Sequence, residues 1–491
     1  MARLARTFRG ECDNGYDQRL QEDKDMRYQD RRFLHQSALA LALAGAAVPA
    51  SAAFFQLLEN NASGLGNAFA GGVAIAEDAS TVWYNPAGMT RLKGQQLVVA
   101  GHFIDPRFKA SVNSASAAAI LGGSNISGGG GDAGESAFVP NLYYTRPITS
   151  DFSIGAGINA PFGLATEYDS TWAGRYYALR SEIKTVNINF AGAYKLNDVV
   201  SVGAGINYQK LDSELTQAID FATICNAAGQ TATCGSAAGF NPNTNPLDGQ
   251  ARVVADGTAW GYNLGLLTQL ENDMRIGIAF RSKIEHSLSG TIGVTRPITG
   301  SGIVNGTVAA VADGLSLVNS GAEADVILPA TLSISAYTPL GSRWAVMADV
   351  TRTYWSALPE LRIQFDSNQA DSVVTLNLKD VYRYSVGATH KTSGAWMFRG
   401  GIALDQSPVA SESDGTPRLP DGDRTWFSAG AGLQVSPTLS FDFGYVYIKV
   451  DDPKIRKTTG APGSENFVRG NLSVDYTGSV QVLSAQARWM F

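Results

Sequence analysis

Residues 53–94 read AFFQLLENNASGLGNAFAGGVAIAEDASTVWYNPAGMTRLKG, a stretch with neither the alternation of a β-strand nor a sustained helical period. Small residues dominate it, and Asn85-Pro86 is a turn signal in which the proline also removes a backbone donor. Phe54, Phe55 and Trp83 would be left in water if the stretch hung free as a tail. We therefore predict that the rest of the chain encloses this stretch.

The residues before this stretch are organised like a secretion signal. An apolar run at 38–48 is followed at 50–52 by Ala-Ser-Ala, a small-residue cleavage site. Three arginines form the basic part of the signal: Arg27, Arg31 and Arg32. The apolar run is too short to span a bilayer. We predict that residues 1–52 are an N-terminal extension and signal peptide, with either Met1 or Met26 as the start.

The composition fits neither a typical soluble enzyme nor a helical membrane protein. Glycine supplies 53 of 491 residues and only 17% of residues are charged, yet no apolar run after the signal is long enough for a membrane helix. A transmembrane β-barrel fits, because lipid-facing and lumen-facing residues alternate along its strands and average to neutral hydropathy. The net charge of -6 argues against a nucleic-acid partner.

From residue 95 onward, apolar residues alternate with small or polar ones at a period of two, as along 200–208. Candidate strands begin near Gln95, Ala137, Phe152, Ile183, Val199, Gly257, Met274, Ala324, Trp344, Val374, Trp396, Arg424, Leu439 and Val474. Short and long connections alternate between them, which is typical of outer-membrane barrels and not of soluble sandwiches. We predict an all-β, antiparallel transmembrane barrel of about fourteen strands over 95–491, with 53–94 as a plug, or hatch, in its lumen.

The chain ends in an amphipathic strand with a terminal aromatic residue, Phe491, which resembles the assembly signal of bacterial outer-membrane barrels. We therefore expect the barrel assembly machinery and outer-membrane lipids as partners. Cys225 and Cys234 remain after signal removal, and in an oxidising periplasm they would form a local disulfide. Two free thiols, or an unpaired zinc-like pair, are the alternative.

An enzymatic role finds little support in the sequence. Only His102, His286 and His390 remain after signal removal, and neither GxSxG nor HExxH occurs. We expect no catalytic residue, no cofactor and no metal. An outer-membrane Ser/His hydrolase stays open as an alternative, and it requires one of these histidines beside a serine and an orienting group. A passive porin is the other alternative.

Several segments, in order along the chain, resemble the FadL/TodX family of outer-membrane transporters for long-chain fatty acids and other hydrophobic compounds. The segments are Gly64-Leu65-Gly66, 74–79, Asn85-Pro86-Ala87, 162–168, 172–174, 191–194, 379–383 and 419–424. The resemblance implies a plugged fourteen-stranded barrel that captures a hydrophobic substrate from outside. It also implies release sideways into the membrane through a gap where the third strand kinks.

The residues offer a physical cause for such a gap. The third alternating run ends at Asn159, where Pro161 cannot donate to a neighbouring strand and Gly163 weakens the ladder. The alternative is that Pro161 simply ends the strand at the outer surface. Phe54 and Phe55 resemble the family's hatch start, which lies against the substrate pocket, so they are candidates for a gate; plain packing of the plug is the alternative.

A fatty acid would need a basic partner for its carboxylate inside the lumen. Lys210, Arg383 and Arg399 are candidates because they lie in or beside predicted strands. They do not align by motif with the family's pocket residues. The sequence therefore leaves open whether the cargo is a fatty acid or a neutral aromatic hydrocarbon.

Overall fold

The computed structural model describes residues 54–121, 123–234 and 246–491. The predicted extension and signal peptide, residues 1–52, lie outside the described residues. The described chain is dominated by twenty β-strands. They are β1 Gln96–Ser116, β2 Ala137–Pro147, β3 Phe152–Asn159, β4 Gly163–Glu167, β5 Arg180–Lys195, β6 Val200–Asp220, β7 Asp248–Gln269, β8 Arg275–Arg281, β9 Ile284–Thr295, β10 Ser320–Leu328, β11 Thr331–Leu340, β12 Trp344–Thr353, β13 Glu360–Phe365, β14 Ser372–Thr375, β15 Val381–Lys391, β16 Trp396–Asp405, β17 Arg424–Ser436, β18 Leu439–Val450, β19 Lys454–Lys457 and β20 Asn471–Met490.

The strands form one closed antiparallel barrel with fourteen positions around the ring, each of which we call a stave. Six staves consist of two successive strands each, namely β3 with β4, β8 with β9, β10 with β11, β12 with β13, β14 with β15 and β18 with β19, so twenty strands give fourteen staves. Each stave pairs with its neighbours in sequence, and β20 closes the ring on β1 from Gln96 opposite Met490 to Ser116 opposite Asn471. The predicted barrel and its strand count are confirmed, since every predicted start lies in or next to a stave.

The alternation of side chains explains why the ring is stable in lipid. On β5, Phe190 points outward and is 55% exposed, whereas the next inward residue, Asn189, is fully buried. On β6, Ile206 is 53% exposed while Asn207 is fully buried. This apolar outside and polar inside is the reverse of a soluble protein. The barrel therefore presents a lipid-compatible surface.

The helices of the described chain are short and lie in the N-terminal segment or in the loops. They are α1 Ala62–Leu65, α2 Thr81–Tyr84, α3 Phe221–Ala227, α4 Thr231–Cys234 and α5 Gly302–Gly314, with 3-10 turns at Pro86–Arg91, Ala119–Leu121, Glu271–Asp273 and Trp355–Ala357. In the part of the chain that the structure describes, no helix has the length and apolarity needed to cross a membrane.

The segment 54–94 bonds to the inner face of the barrel on many sides. The bonds include Asn141 on β2 to the Glu59 carbonyl (3.0 Å), Asn159 on β3 to Asn60 (2.8 Å), Asn85 to the Leu266 carbonyl on β7 (3.0 Å), the Val73 amide to Ser335 on β11 (3.3 Å), Arg383 on β15 to the Ala68 carbonyl (2.7 Å) and the Ala62 amide to Gln486 on β20 (3.1 Å). A segment that is bonded to opposite sides of a closed ring lies within it.

Close packing fixes the segment against the wall at β17. A Cβ atom added at Gly66 would lie 2.9 Å from the Gly430 Cα, and one added at Gly430 would lie 2.8 Å from the Gly66 Cα. Real side chains do not tolerate such distances, so both positions require glycine for the two backbones to touch. The small residues noted in 53–94 therefore serve contact with the strands.

Candidate functional site

The third stave of the barrel is broken where the sequence predicted a kink. Strand β3 ends at Asn159 and β4 begins at Gly163. Asn187 and Lys184 on β5 lie opposite these two residues, so three residues of the third stave face two of β5, a β-bulge. The break contains Pro161, which has no N–H to donate.

The other neighbour of the third stave, β2, stops pairing with it at the same level of the barrel. The last pair between β2 and β3 is Leu142 opposite Ile158, and residues 137–141 of β2 pair with β1 alone. Farther along, β4 meets the loop before β2, where Gly134 forms an isolated bridge with Thr166. The barrel wall therefore lacks its hydrogen-bonded ladder between β2 and the third stave over a short, bounded stretch.

The start of the described chain takes the place of β2 at this break. The Leu57 amide donates to the Pro161 carbonyl (2.8 Å), and the Gly163 amide donates to the Phe55 carbonyl (3.0 Å). Between these bonds, Gln56 forms an antiparallel bridge with Phe162, whose own amide and carbonyl bond to Thr185 on β5. Residues 55–57 thus cover the broken edge from inside the barrel.

An aromatic cluster anchors these residues. The rings of Phe54 and Phe55 lie 5.2 and 5.1 Å from that of Trp355, and Phe55 lies 5.8 Å from Phe162. All four side chains are buried. Aromatic pairs at these separations contribute about 0.5–1.5 kcal/mol beyond their area burial. The cluster joins the two phenylalanines to both the break and the 3-10 turn at Trp355–Ala357.

An inner cavity of about 70 Å³ lies beside Phe54 and Phe55. Its other apolar lining residues are Leu164, Ile183, Leu211, Leu215, Val253, Ala255, Leu288, Ala324, Val326, Leu358, Leu361, Ile363, Val374, Leu376 and Leu419. Arg418 is the only charged residue among its described lining residues. This composition suits an apolar ligand with one anionic group.

A larger outer cavity of about 410 Å³ adjoins the inner one. The two share the lining residues Leu215, Val253, Ile363 and Arg418. The outer cavity is bounded by loop residues as well, including Phe467 and others of 463–469. The two cavities together lead from the loops through the shared residues to Phe54 and Phe55, and the backbone of Phe55 bonds to the break. Sequence reasoning did not identify this lining, because it comes from eight staves and several loops that are far apart in the sequence.

The predicted hatch motif holds the segment together and to the wall. Asn85 donates to the carbonyls of Val73 (2.7 Å) and Leu266 (3.0 Å), and its Oδ1 accepts from the Ala87 amide (3.1 Å). Pro86 opens the 3-10 turn at Pro86–Arg91, a position where its missing N–H costs nothing. The motif is thus a structural clasp, with Asn85 buried and all its polar groups bonded.

The three predicted carboxylate-binding residues differ in placement. Lys210 lies on the outward face of β6 and bonds to Asp212 (2.6 Å), which argues against a role in the lumen. Lys210 lies an even number of positions from the apolar, outward residues of the same strand, so the sequence already indicated that it faces outward. Arg383 and Arg399 do face inward.

Both inward arginines already have partners. Arg383 donates to the Ala68 carbonyl (2.7 Å) and lies 3.9 Å from Asp405. Arg399 bonds to Asp442 (2.7 Å) on the wall and to Glu77 (3.3 Å) of the enclosed segment. These arginines therefore tie the segment 54–94 to the barrel.

The predicted disulfide is absent from the structure, which records Cys225 and Cys234 as free thiols. Cys225 lies in α3 and Cys234 in α4, and both are buried in an apolar cluster with Val304 and Val308 of α5. Burial raises the pKa of the Cys225 thiol well above its usual range. The cluster therefore keeps the Cys225 thiol protonated, with Cys234 buried beside it.

One histidine meets part of the requirement for a hydrolase. His102 Nδ1 lies 2.6 Å from Ser484 Oγ, its cross-strand neighbour on β20. His102 Nε2 has no hydrogen-bond partner among the described residues, so no carboxylate orients the ring. His286 bonds to Gln209, and His390 packs on Trp344. No acid–histidine–serine arrangement is present in the described part of the chain.

The sequence matches the family model described as "Outer membrane protein transport protein (OMPP1/FadL/TodX)" over residues 43–491. The long-chain fatty acid transport protein of Escherichia coli strain K12 is 31% identical over 435 residues, which cover 86% of this chain and 93% of that protein. Outer membrane protein P1 of Haemophilus influenzae strain Rd is 31% identical over 467 residues, covering 90% of this chain and 96% of that protein.

Solved structures resemble the barrel as well. A crystal structure of a Pseudomonas aeruginosa FadL homologue superposes with a TM-score of 0.78 at 26% identity, and the match covers 89% of this chain and 100% of that one. The toluene transporter TbuX of Ralstonia pickettii gives a TM-score of 0.59 at 19% identity, covering 88% of this chain and 100% of that one. At that identity the likeness to TbuX concerns the fold alone.

Proposed function

Because the chain belongs to the OMPP1/FadL/TodX family of outer-membrane transport proteins, we propose that it moves long-chain fatty acids or other hydrophobic compounds across the outer membrane. The ligand enters the outer cavity, passes to the inner cavity and leaves sideways through the break in the third stave. The observation that carries this proposal is the double role of residues 54–57. The side chains of Phe54 and Phe55 border the inner cavity, and the backbone of residues 55–57 covers the break.

Binding and opening are coupled by this double role. Ligand sites typically enclose about 300–1,000 Å³, whereas the inner cavity holds about 70 Å³. A long acyl chain therefore needs Phe54 and Phe55 to move. Because the Phe55 carbonyl and the Leu57 amide bond to the broken stave, the same movement uncovers the gap. Phe54 and Phe55 act as the gate, and Asn159, Pro161 and Gly163 form the edge of the opening.

Sideways release follows from the hydrophobic effect. Each buried CH₂ group is worth roughly 0.8 kcal/mol, so an acyl chain strongly prefers lipid to a water-filled path into the periplasm. Outer-membrane lipids are then the acceptor of the cargo. The barrel assembly machinery remains our proposed partner for insertion, through the terminal strand β20.

An aromatic hydrocarbon is the second candidate cargo, since solved relatives of the same fold include toluene transporters. A passive porin is less well supported, because the segment 54–94 is bonded to staves around the ring. An enzymatic role is also less well supported, because the family is one of transport proteins.

The gate can be tested by locking it. Gln56 and Phe162 are directly opposite each other at a non-hydrogen-bonded antiparallel pair, where the backbones approach to a distance that suits a disulfide. We expect the Gln56→Cys/Phe162→Cys double variant to take up labelled oleate when reduced and to stop when oxidised.

The two single-cysteine variants are matched controls, because each carries one of the two side-chain losses and neither can form the bond. Their uptake is expected to be independent of oxidation. Full uptake by the oxidised double variant, with the disulfide verified by mass, would contradict release through this break. Competition between labelled oleate and toluene in the same cells assigns the cargo.

A further inference from the structure

The closed gate holds Phe54 in a backbone conformation that a phenylalanine rarely adopts. Its φ angle is +45°, in the left-handed region that favours glycine. A residue with a large side chain stays in this region only where its surroundings hold it there. The ring of Phe54 packs on Phe55 and Trp355, with 5.3 and 5.2 Å between centroids. These contacts hold the side chain and leave the backbone to a second contact.

The second contact comes from Arg424, the first residue of β17. Its Nη2 donates to the Phe54 carbonyl (3.0 Å) and to Asp421 Oδ1 (2.6 Å). The side chain of Asp421 is fully buried, and its Oδ2 accepts from Ser407 Oγ (2.7 Å). Hydrogen bonds from a charged donor are stronger than neutral ones, and the buried carboxylate keeps this donor in place. Arg424 therefore fixes the Phe54 backbone to the barrel.

The loop that carries Asp421 and Ser407 also borders the inner cavity. This loop, residues 406–423, connects β16 to β17. Three of its residues line the cavity: Thr416, Arg418 and Leu419. A ligand in the cavity therefore contacts the same loop that holds the gate. The arrangement also gives a role to the sequence motif at 419–424, whose two charged ends form the ion pair behind Phe54.

We propose that Arg424 is a positioning residue whose bond to the Phe54 carbonyl is a latch: it holds the gate closed, and the gate opens when it breaks. This inference rests on the proposed function and deepens it, because it names the contact that sets how readily the gate opens. Once the latch is broken, the Phe54 backbone is free to leave its left-handed conformation, so the relief of strain favours opening. A ligand that displaces Phe54 has to overcome the latch as well as the ring contacts.

The test removes the latch without leaving a buried charge unpaired. The Asp421→Asn/Arg424→Met double variant loses the cation and the carboxylate together, and the asparagine keeps an oxygen for Ser407. Hydrogen–deuterium exchange of the purified full-length protein in maltoside detergent reports on gate opening, because the Leu57 amide is bonded only while the gate is closed. We expect exchange in peptides from 55–60 to be about 10- to 100-fold faster, the range for loss of a hydrogen bond to a charged group.

Arg383→Met/Asp405→Asn is the matched control. Arg383 likewise donates to a carbonyl of the enclosed segment, that of Ala68 (2.7 Å), and lies 3.9 Å from the Asp405 carboxylate. Ala68 has a positive φ of +51° as well. Because this bond lies away from the gate, the control is expected to leave the exchange of 55–60 as in the wild type.

Ligand binding separates a latch from a residue that only supports the structure. Equilibrium dialysis with radiolabelled oleate is expected to show tighter binding to the Asp421→Asn/Arg424→Met variant, because the ligand no longer has to break the latch. Loss of a merely structural contact would weaken binding instead. Arg424→Lys is expected to keep most of the wild-type exchange and affinity, because both bonds of Arg424 come from one nitrogen atom, which an ammonium group can replace.

Unchanged exchange of 55–60 in the Asp421→Asn/Arg424→Met variant, or an oleate affinity that does not rise, overturns the assignment of Arg424. The same holds if the control variant accelerates the exchange of 55–60 equally. If cells carrying the wild-type protein take up neither oleate nor toluene, the proposed function fails, whereas the exchange of 55–60 still decides whether Arg424 holds Phe54.

Discussion

Replacing Asn85 with alanine is expected to loosen the enclosed segment while leaving the barrel intact. The substitution removes three buried hydrogen bonds, two to the carbonyls of Val73 and Leu266 and one from the Ala87 amide. Each bond contributes about 1 kcal/mol net, so the segment loses about 3 kcal/mol. The barrel keeps its own ladder, because none of the three bonds joins two staves.

Hydrogen–deuterium exchange read by mass spectrometry measures this loss locally. A change of about 3 kcal/mol corresponds to roughly 100-fold faster exchange in peptides from 73–91, provided that local opening limits exchange. Peptides from the staves of the same variant serve as the internal control and are expected to exchange as in the wild type.

Asn85→Asp is the matched variant. It keeps an oxygen for the Ala87 amide but sets a carboxylate against the carbonyls of Val73 and Leu266, so it is expected to be at least as damaging as alanine. Unchanged exchange of 73–91 in both variants would refute the account of Asn85 as a clasp. Faster exchange of the whole barrel would instead show that the segment supports the wall.

Gly430→Ala is expected to push the enclosed segment away from the wall at Gly66, because the added Cβ would lie 2.8 Å from the Gly66 Cα. The expected cost is about 1–3 kcal/mol. Hydrogen–deuterium exchange is expected to be faster in peptides from 62–72. Gly400→Ala, on the next stave, meets nothing within 4 Å and is the control; equal effects of the two would contradict close packing at Gly66. Cys225 and Cys234 are expected to resist maleimide at pH 8 in the folded protein and to react after unfolding, because burial keeps the Cys225 thiol protonated. An intact mass lower by two hydrogens before labelling would show that they form a disulfide instead.

The sequence contained enough information to predict the barrel. Strand alternation at a period of two is a local property, and the order of short and long connections indicated how successive staves pair. The break at 160–162 was visible too, because Pro161 lacks a donor wherever it sits. The face of Lys210 could have been predicted from the same parity, since it follows the apolar, outward positions of β6.

The sequence alone could not show which distant groups meet inside the ring. Residues 55–57 replace β2 at the break only because the ring brings a segment about a hundred residues away along the chain to the same place. Arg418 lies in a loop that has no period, so nothing in its neighbourhood predicts that it is buried. Local patterns thus determined the wall, because strand pairing follows sequence order. Which residues meet inside the ring was decided by tertiary contacts, because burial and charge balance there depend on every stave at once.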